Sequence, residues 1–181
     1  RSGNIEKAVE YLHLAGQQAV QRSANAEAIS HLNTALELLK TLPDTSARLR
    51  QELLLHLILG PVLTATKGYA TPEVAQIYTR ARELCQQEGE PVHLMQVLFG
   101  LFRVHVVRAE YQMARELGEQ LLALAEQIQD SSSLVETHRV LGTTFYGLGK
   151  FSAARRHVER GMLYYNPQQH RTSAFLYGQD S

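Results

Sequence analysis

Val135 to Gln168, VETHRVLGTTFYGLGKFSAARRHVERGMLYYNPQ, is the stretch whose reading decides the fold. Leu141-Gly142 is followed three residues later by Phe145, then by the loop signal Gly147-Leu148-Gly149-Lys150. Ala154 and Val158 come next, four apart as on one face of a helix, and Pro167 closes the unit. This order predicts a helix, a tight turn and a second helix laid back on the first. Gly142, Ala154 and Gly161 leave room for a neighbouring backbone, while Leu141, Phe145 and Val158 fill the seam. One such hairpin cannot bury its apolar face alone, so it predicts neighbours built the same way.

The rest of the chain supplies them. A glycine follows an apolar or small residue at Ala15-Gly16, Leu59-Gly60, Phe99-Gly100 and Leu141-Gly142, at intervals of 44, 40 and 42 residues. The second helices repeat a small or apolar pattern four and seven residues apart: Ala28, Leu32, Ala35; Val74, Tyr78, Ala81; Ala114, Gly118, Leu121; Ala154, Val158, Gly161. The distance from glycine to anchor is 12 residues in the outer units and 14 in the inner two. Leu-Gly, aromatic, Ala, large apolar and Pro in this order resemble the tetratricopeptide pattern, with helices longer than its period of about 34 residues. The tryptophan place of that pattern holds Leu12, His56, Gln96 and His138. HEAT-like pairing, at about 40–47 residues, is the rival within the same architecture. The expected fold is all-α: a right-handed α-solenoid of about four tetratricopeptide-like antiparallel helix pairs, eight helices in all. It is expected to form a single repeat domain over residues 1–181, with approximate units 4–42, 44–89, 91–129 and 131–168.

Local signals place the helix ends. Asn25, Asp44 or Thr45, Thr71 before Pro72, and Asp130 are expected caps. Pro61 lies inside the leucine-rich third helix and predicts a kink near Gly60-Pro61. Beyond Pro167 the chain turns polar, and Phe175-Leu176-Tyr177 resembles the start of another helix.

Composition narrows the function. The 18 Lys+Arg balance the 18 Asp+Glu, which argues against a general nucleic-acid binder or an anionic-membrane binder. Lys150 to Arg171 is locally basic, with five cations against Glu159; it reads as a solvated helix face, with a phosphate-reading patch as the alternative. Cys85 is the one cysteine, so no intrachain disulfide forms. With a polar start and no apolar run of membrane length, the expected compartment is the cytoplasm. The eight histidines include no His-x-x-x-His pair, and no Ser-His-Asp or Cys-His arrangement stands out. No catalytic residue, metal ligand or cofactor is therefore assigned.

The runs NAEAISHLNTALELLKTLPDT, LLLHLILGPVLTATKGYATPEVAQIYTRARELCQQEGE and ARELGEQLLALAEQ resemble the helical-repeat region of large bacterial signalling ATPases. Those proteins place an AAA-type, STAND-like ATPase before the repeats, and many carry a class III adenylate/guanylate cyclase domain. The resemblance covers most of the chain and rests on packing motifs. Neither a phosphate-binding loop nor a cyclase core is among these residues. The resemblance implies a noncatalytic interaction or regulatory module that is a piece of a larger multidomain protein, binding a protein, a peptide or its parent's other domains.

Solenoids bind along the face lined by first helices. Projecting the tetratricopeptide groove positions onto the chain selects His13, Gln17, Leu57, Thr64, Val97, Leu101, His105, Arg139, Thr143 and Tyr146 as partner-binding residues. The groove so projected is apolar in the middle and polar at its ends. It suits an amphipathic helix or an apolar peptide, or it packs on parent domains. Self-association by stacking of the exposed solenoid ends is the alternative. A small-molecule or metal-binding enzyme is the remote one.

Overall fold

The computed structural model describes residues 2–89 and 91–166. The described residues form eight α-helices and no strand: α1 (Ser2–Gln21), α2 (Asn25–Leu39), α3 (Ser46–Lys67), α4 (Pro72–Glu88), α5 (Pro91–Val107), α6 (Tyr111–Ile128), α7 (Ser131–Gly147) and α8 (Phe151–Tyr164). This is the helix-pair order expected of an α-solenoid. Contacts group into two units, Arg1–Leu94 and Met95–Ser181, divided within α5. Pro167, Arg171 and Phe175-Leu176-Tyr177 lie outside the described residues.

In the first unit, α1 packs on α2, α2 on α3 and α3 on α4. The glycine-and-anchor pairs meet where the repeat pattern puts them. A Cβ at Gly16 would lie 2.8 Å from Leu32 Cδ2, and one at Gly60 would lie 2.9 Å from Tyr78 Cζ. Leu32, Leu39, Leu53, Leu59, Val74 and Leu84 are buried around these approaches. The third helix runs on through Pro61, whose ring is exposed. Thr45 caps α3 by accepting from the Arg48 N–H at 3.2 Å. Asn25 is instead the first residue of α2, and its predecessor Ala24 makes no side-chain cap.

A buried carboxylate ties α3 to α4. Arg80 donates from Nε to Glu52 Oε1 at 2.7 Å and from Nη2 to Oε2 at 3.3 Å. Arg48 Nη1 stands 3.1 Å from Glu52 Oε2, and His56 Nε2 stands 3.7 Å from Oε1. Burial alone would raise the Glu52 carboxyl. Hydrogen bonds from His56 and Arg80, with the charges of Arg80 and Arg48, outweigh it and bring the carboxyl down to about 2.

In the second unit, α6 packs on α7 and α7 on α8. A Cβ at Gly118 would sit 2.7 Å from Leu141 Cδ2, one at Gly142 3.0 Å from Val158 Cγ2, and one at Gly161 3.2 Å from His138 Cβ. Gly142 and Gly161 therefore make room as their positions in the motif require. Val158 fills the seam only on one side, being 50% exposed. Asp130 caps α7 by accepting from the Ser133 N–H at 2.7 Å.

Three hairpins share one turn. Ala24 N–H reaches Ala19 O, Glu110 N–H reaches His105 O, and Lys150 N–H reaches Phe145 O. The residue before each of these donors is left-handed: Ser23 (φ 58°), Ala109 (φ 58°) and Gly149 (φ 69°). With the Ser23–Val20, Ala109–Val106 and Gly149–Tyr146 bonds, each is a Schellman turn. Counting back seven residues from the left-handed residue gives Gly16, Phe102 and Gly142. Gly100, expected as the third repeat glycine, thus stands two residues out of register. Gly118, on that unit's second helix, is approached by Leu141 and Val140 of α7, the first helix of the following unit. The α3–α4 connection is different and longer, running from Gly68 through Thr71.

Two outcomes follow for stability. Ala109→Gly relieves an L-residue held at positive φ and is expected to stabilise the protein by about 0.5–1 kcal/mol in urea unfolding; no gain would contradict the turn assignment. Glu52→Gln is expected to cost about 3 kcal/mol, because it leaves Arg80 and Arg48 without their buried partner. The folded carboxyl is the stronger acid, so its contribution is full above the ordinary value of 4.5 and is lost as pH falls toward about 2. Acid titration of the wild type should show this loss, and Glu52→Gln should flatten it.

Candidate functional site

The expected partner-binding residues divide by accessibility. Leu57, Val97 and Leu101 are buried, which corrects their placement on an open apolar groove. Leu57 lies one helical turn before Gly60 and shares its packed face. Val97 and Leu101, four apart, belong to a stretch of α5 in which every residue from 97 to 102 is buried. Their role is core packing.

Polar members of the set are mostly tied to their own helices. Thr64 Oγ1 donates to Gly60 O at 2.8 Å. His105, half-buried, holds Glu110 Oε2 2.5 Å from its Nδ1, closing the α5–α6 turn. His13 is half-buried, its Nε2 has no partner, and burial pushes its pKa down. Gln17, one turn further along α1, is exposed.

Arg139, Thr143 and Tyr146 form the accessible set on one helix face, spaced four and three residues apart on α7 and all exposed. Arg139 Nε donates to Glu136 Oε2 at 2.9 Å, and its Nη2 bonds the other carboxylate oxygen. That bond raises the guanidinium pKa against the opposing effect of burial. Thr143 Oγ1 donates to Arg139 O at 3.0 Å, leaving the oxygen free to accept. Tyr146 is 68% exposed and meets Phe151 edge-on, with centroids 5.5 Å apart. Phe151 is itself 63% exposed and was absent from the expected set. Its sequence signal is an aromatic at the first position of a second helix, outside the seam pattern. Beside this pair the α6 residue Tyr111 lies over Gly147, where a Cβ would come within 2.5 Å of Cε1. The face combines a cation, a hydroxyl and two rings at one end of a hairpin, the kind of surface that takes a peptide or a protein.

Behind it, α7 and α8 are joined by a ring cluster. His138 and His157 place their Nδ1 atoms 3.1 Å apart; Phe145 stacks on His157 and Tyr164 on His138. Burial first, then the charges of His157 and Arg160, lower the His138 pKa, opposed by Glu126 on α6. Burial, Arg160 and Arg156 lower that of His157, opposed by Glu119 on α6. The cluster is thus a neutral pair that packs the hairpin. A cavity of about 400 Å3 opens beside α8 between Arg156, His157, Glu159, Arg160 and Leu163. Arg155 pairs with Glu159 at 2.6 Å along the exposed helix. Cys85 is buried. Among the described residues no group of three or more His, Cys, Asp or Glu is placed to hold a metal ion, and no helix is long and apolar enough to cross a membrane.

No family model matches the chain. An uncharacterised protein of Rhizobium meliloti (strain 1021) is 19% identical over 180 residues, spanning 98% of this chain but only 17% of its own length. The chain therefore spans about a sixth of that relative. Among solved structures, aspartyl phosphate phosphatase F from Bacillus subtilis superposes with a TM-score of 0.71 at 19% identity, covering 96% of this chain and 43% of the other. BtubC from P. vanneervenii gives the same TM-score at 17% identity, covering 96% of this chain and 66% of the other. These likenesses establish the helical-repeat fold.

Because both histidine pKa values are lowered, the folded hairpin favours the neutral rings. Their contribution is full above the ordinary value of 6.5 and is lost as pH falls below it. Protection of the α7 and α8 amides, taken relative to the intrinsic exchange rate at each pH, should therefore fall on acidification below pH 6.5, and His138→Phe should weaken that dependence. An unchanged pH response in His138→Phe would contradict the pairing.

Proposed function

We propose that the chain is a noncatalytic interaction module of a bacterial signal-transduction ATPase, docking a protein, a peptide or its parent's other domains through the exposed face of α7. The observation that carries this reading is the separation of roles along α7. The motif residues Leu141 and Gly142 are buried, while Arg139, Thr143 and Tyr146 face outward with Phe151. The resemblance of the repeat runs to those ATPases supports the parent class, and so does the length of the Rhizobium relative. Docking acts mechanically: a partner that prefers one of two docked arrangements shifts the ATPase between them by its differential affinity.

The test uses the full parent protein. Tyr146→Ala together with Thr143→Ala is expected to change nucleotide turnover about fivefold or more, the range of ordinary allosteric coupling, while leaving the thermal midpoint of the repeat segment nearly unchanged. Unaltered turnover, together with no binding of the added repeat segment at high micromolar concentration, overturns the reading.

Self-association is the second reading. Exposed apolar side chains at the two ends of the helix order favour it: Tyr11 and Leu14 on α1, Met162 and Leu163 on α8. Sedimentation at several concentrations decides it, and a strict monomer removes it.

A further inference from the structure

The α7–α8 hairpin holds positive charge that docking through α7 does not use. From Ser131 to Tyr164 it carries five cations, Arg139, Lys150, Arg155, Arg156 and Arg160, against the two acids Glu136 and Glu159, in a chain whose charges sum to zero. Two of the arginines are neutralised in place, Arg139 by Glu136 and Arg155 by Glu159. Among the described residues Arg156 and Arg160 have no acidic partner. Both are exposed, and they stand four apart on α8. Like charges at that spacing lie one above the other on a helix surface and destabilise it unless an opposite charge lies between them.

The same two guanidinium groups line a recess of about 400 Å3 on α8, with His157, Glu159 and Leu163. Glu159 turns its carboxylate to Arg155, so the recess keeps two uncompensated positive charges. His157 is half-buried and engages His138 through Nδ1, at 3.1 Å, so Nε2 is its ring nitrogen left for a ligand. Leu163, 82% exposed, gives the recess an apolar side. Burial and then the charges of Arg160 and Arg156 lower the His157 pKa, against Glu119 on α6. Burial, His157 and Arg160 lower that of His138 on α7, against Glu126 on α6. The two arginines are thus near enough to act on the His157 ring, and an anion lying among all three would offset them.

We propose that this recess binds the phosphate group of a phosphate monoester, with Arg156 and Arg160 holding its oxygens, His157 Nε2 donating a third hydrogen bond, and Leu163 lying against the organic part. Charge selects phosphate over a carboxylate. At neutral pH a monoester carries about −1.5 to −2, which matches two guanidinium groups, and its oxygens can take forked bonds from both. At about 400 Å3 the recess lies within the range of small-ligand sites, about 300–1,000 Å3, so it has room for the group that carries the phosphate. A free phosphate ester and a phosphorylated serine of a partner share this chemistry. Binding here does not require docking at Arg139, Thr143 and Tyr146 on α7.

Calorimetric titration of the 181-residue protein with phenyl phosphate and with the pentapeptide Ala-Ala-phosphoserine-Ala-Ala tests the site, beside NMR titration of the His157 ring. Binding is expected, and the tighter of the two ligands tells a free ester from a phosphorylated side chain. Arg160→Gln is expected to weaken binding about tenfold or more, the loss of a charge-assisted hydrogen bond. Lys150→Gln removes a cation of the same hairpin outside the recess and is expected to change binding less than about twofold. Saturating ligand is expected to raise the His157 pKa by about half a unit or more. Arg160→Gln should keep the helical circular dichroism of the wild type; should it fail to fold, the His157 titration of the wild type alone decides. A His157 titration unmoved by either ligand overturns the proposal. Equal losses in Lys150→Gln and Arg160→Gln also overturn it, in favour of a diffuse attraction of anions to the hairpin.

Discussion

The close approach of paired helices at glycine is the constraint on which the rest of the structure depends. Gly16 receives Leu32, Gly60 receives Tyr78 and Gly142 receives Val158, each at a distance a Cβ would crowd. Removing the side chain from one helix lets a large one from the other sit against its backbone. Burying each such side chain contributes about 1.5–3 kcal/mol, and it does so only while that approach is kept. The Schellman turns serve the same end. They reverse the chain in three residues and satisfy the last carbonyls of the first helix, so the second helix begins in a fixed register. Where the turn is absent, between α3 and α4, the Glu52–Arg80 bridge ties the two helices instead.

Much of this was legible in the sequence, for physical reasons. A period of 3.6 with glycine, proline and small polar residues at the breaks is a local signal, and the eight helices begin and end close to where these signals stand. Gly16, Gly60 and Gly142 were readable because a glycine inside an apolar helix is conspicuous. Gly100 is buried on α5 but stands two residues out of the register of Gly16 and Gly142. Register is counted from the turn, and Ala109, held left-handed without being glycine, gives no sign of a turn in the sequence. The Glu52–Arg80 bridge spans 28 residues and the His138–His157 pair 19, so no local pattern announces either.

The site was legible in part. Arg139, Thr143 and Tyr146 are exposed together because their spacing of four and three residues sets them on one open face of α7. Groove projection failed at Leu57, Val97 and Leu101, because α3 and α5 are apolar nearly all round and bury the positions that the projection left open. Phe151 was missed because it belongs to the second helix and reaches Tyr146 across the turn. On α7 the buried Leu141 and the exposed Arg139, Thr143 and Tyr146 thus lie on different faces, so the exposed side chains can vary without disturbing the seam that Leu141 fills.

That separation is the central claim, and amide hydrogen exchange on the repeat segment, alone and with its parent's remaining domains added, measures it most directly. The expected result is new protection confined to residues 139–151, with the close approaches at Gly16 in α1 and Gly60 in α3 unchanged. Protection spread evenly over all eight helices, or none anywhere, would contradict the account.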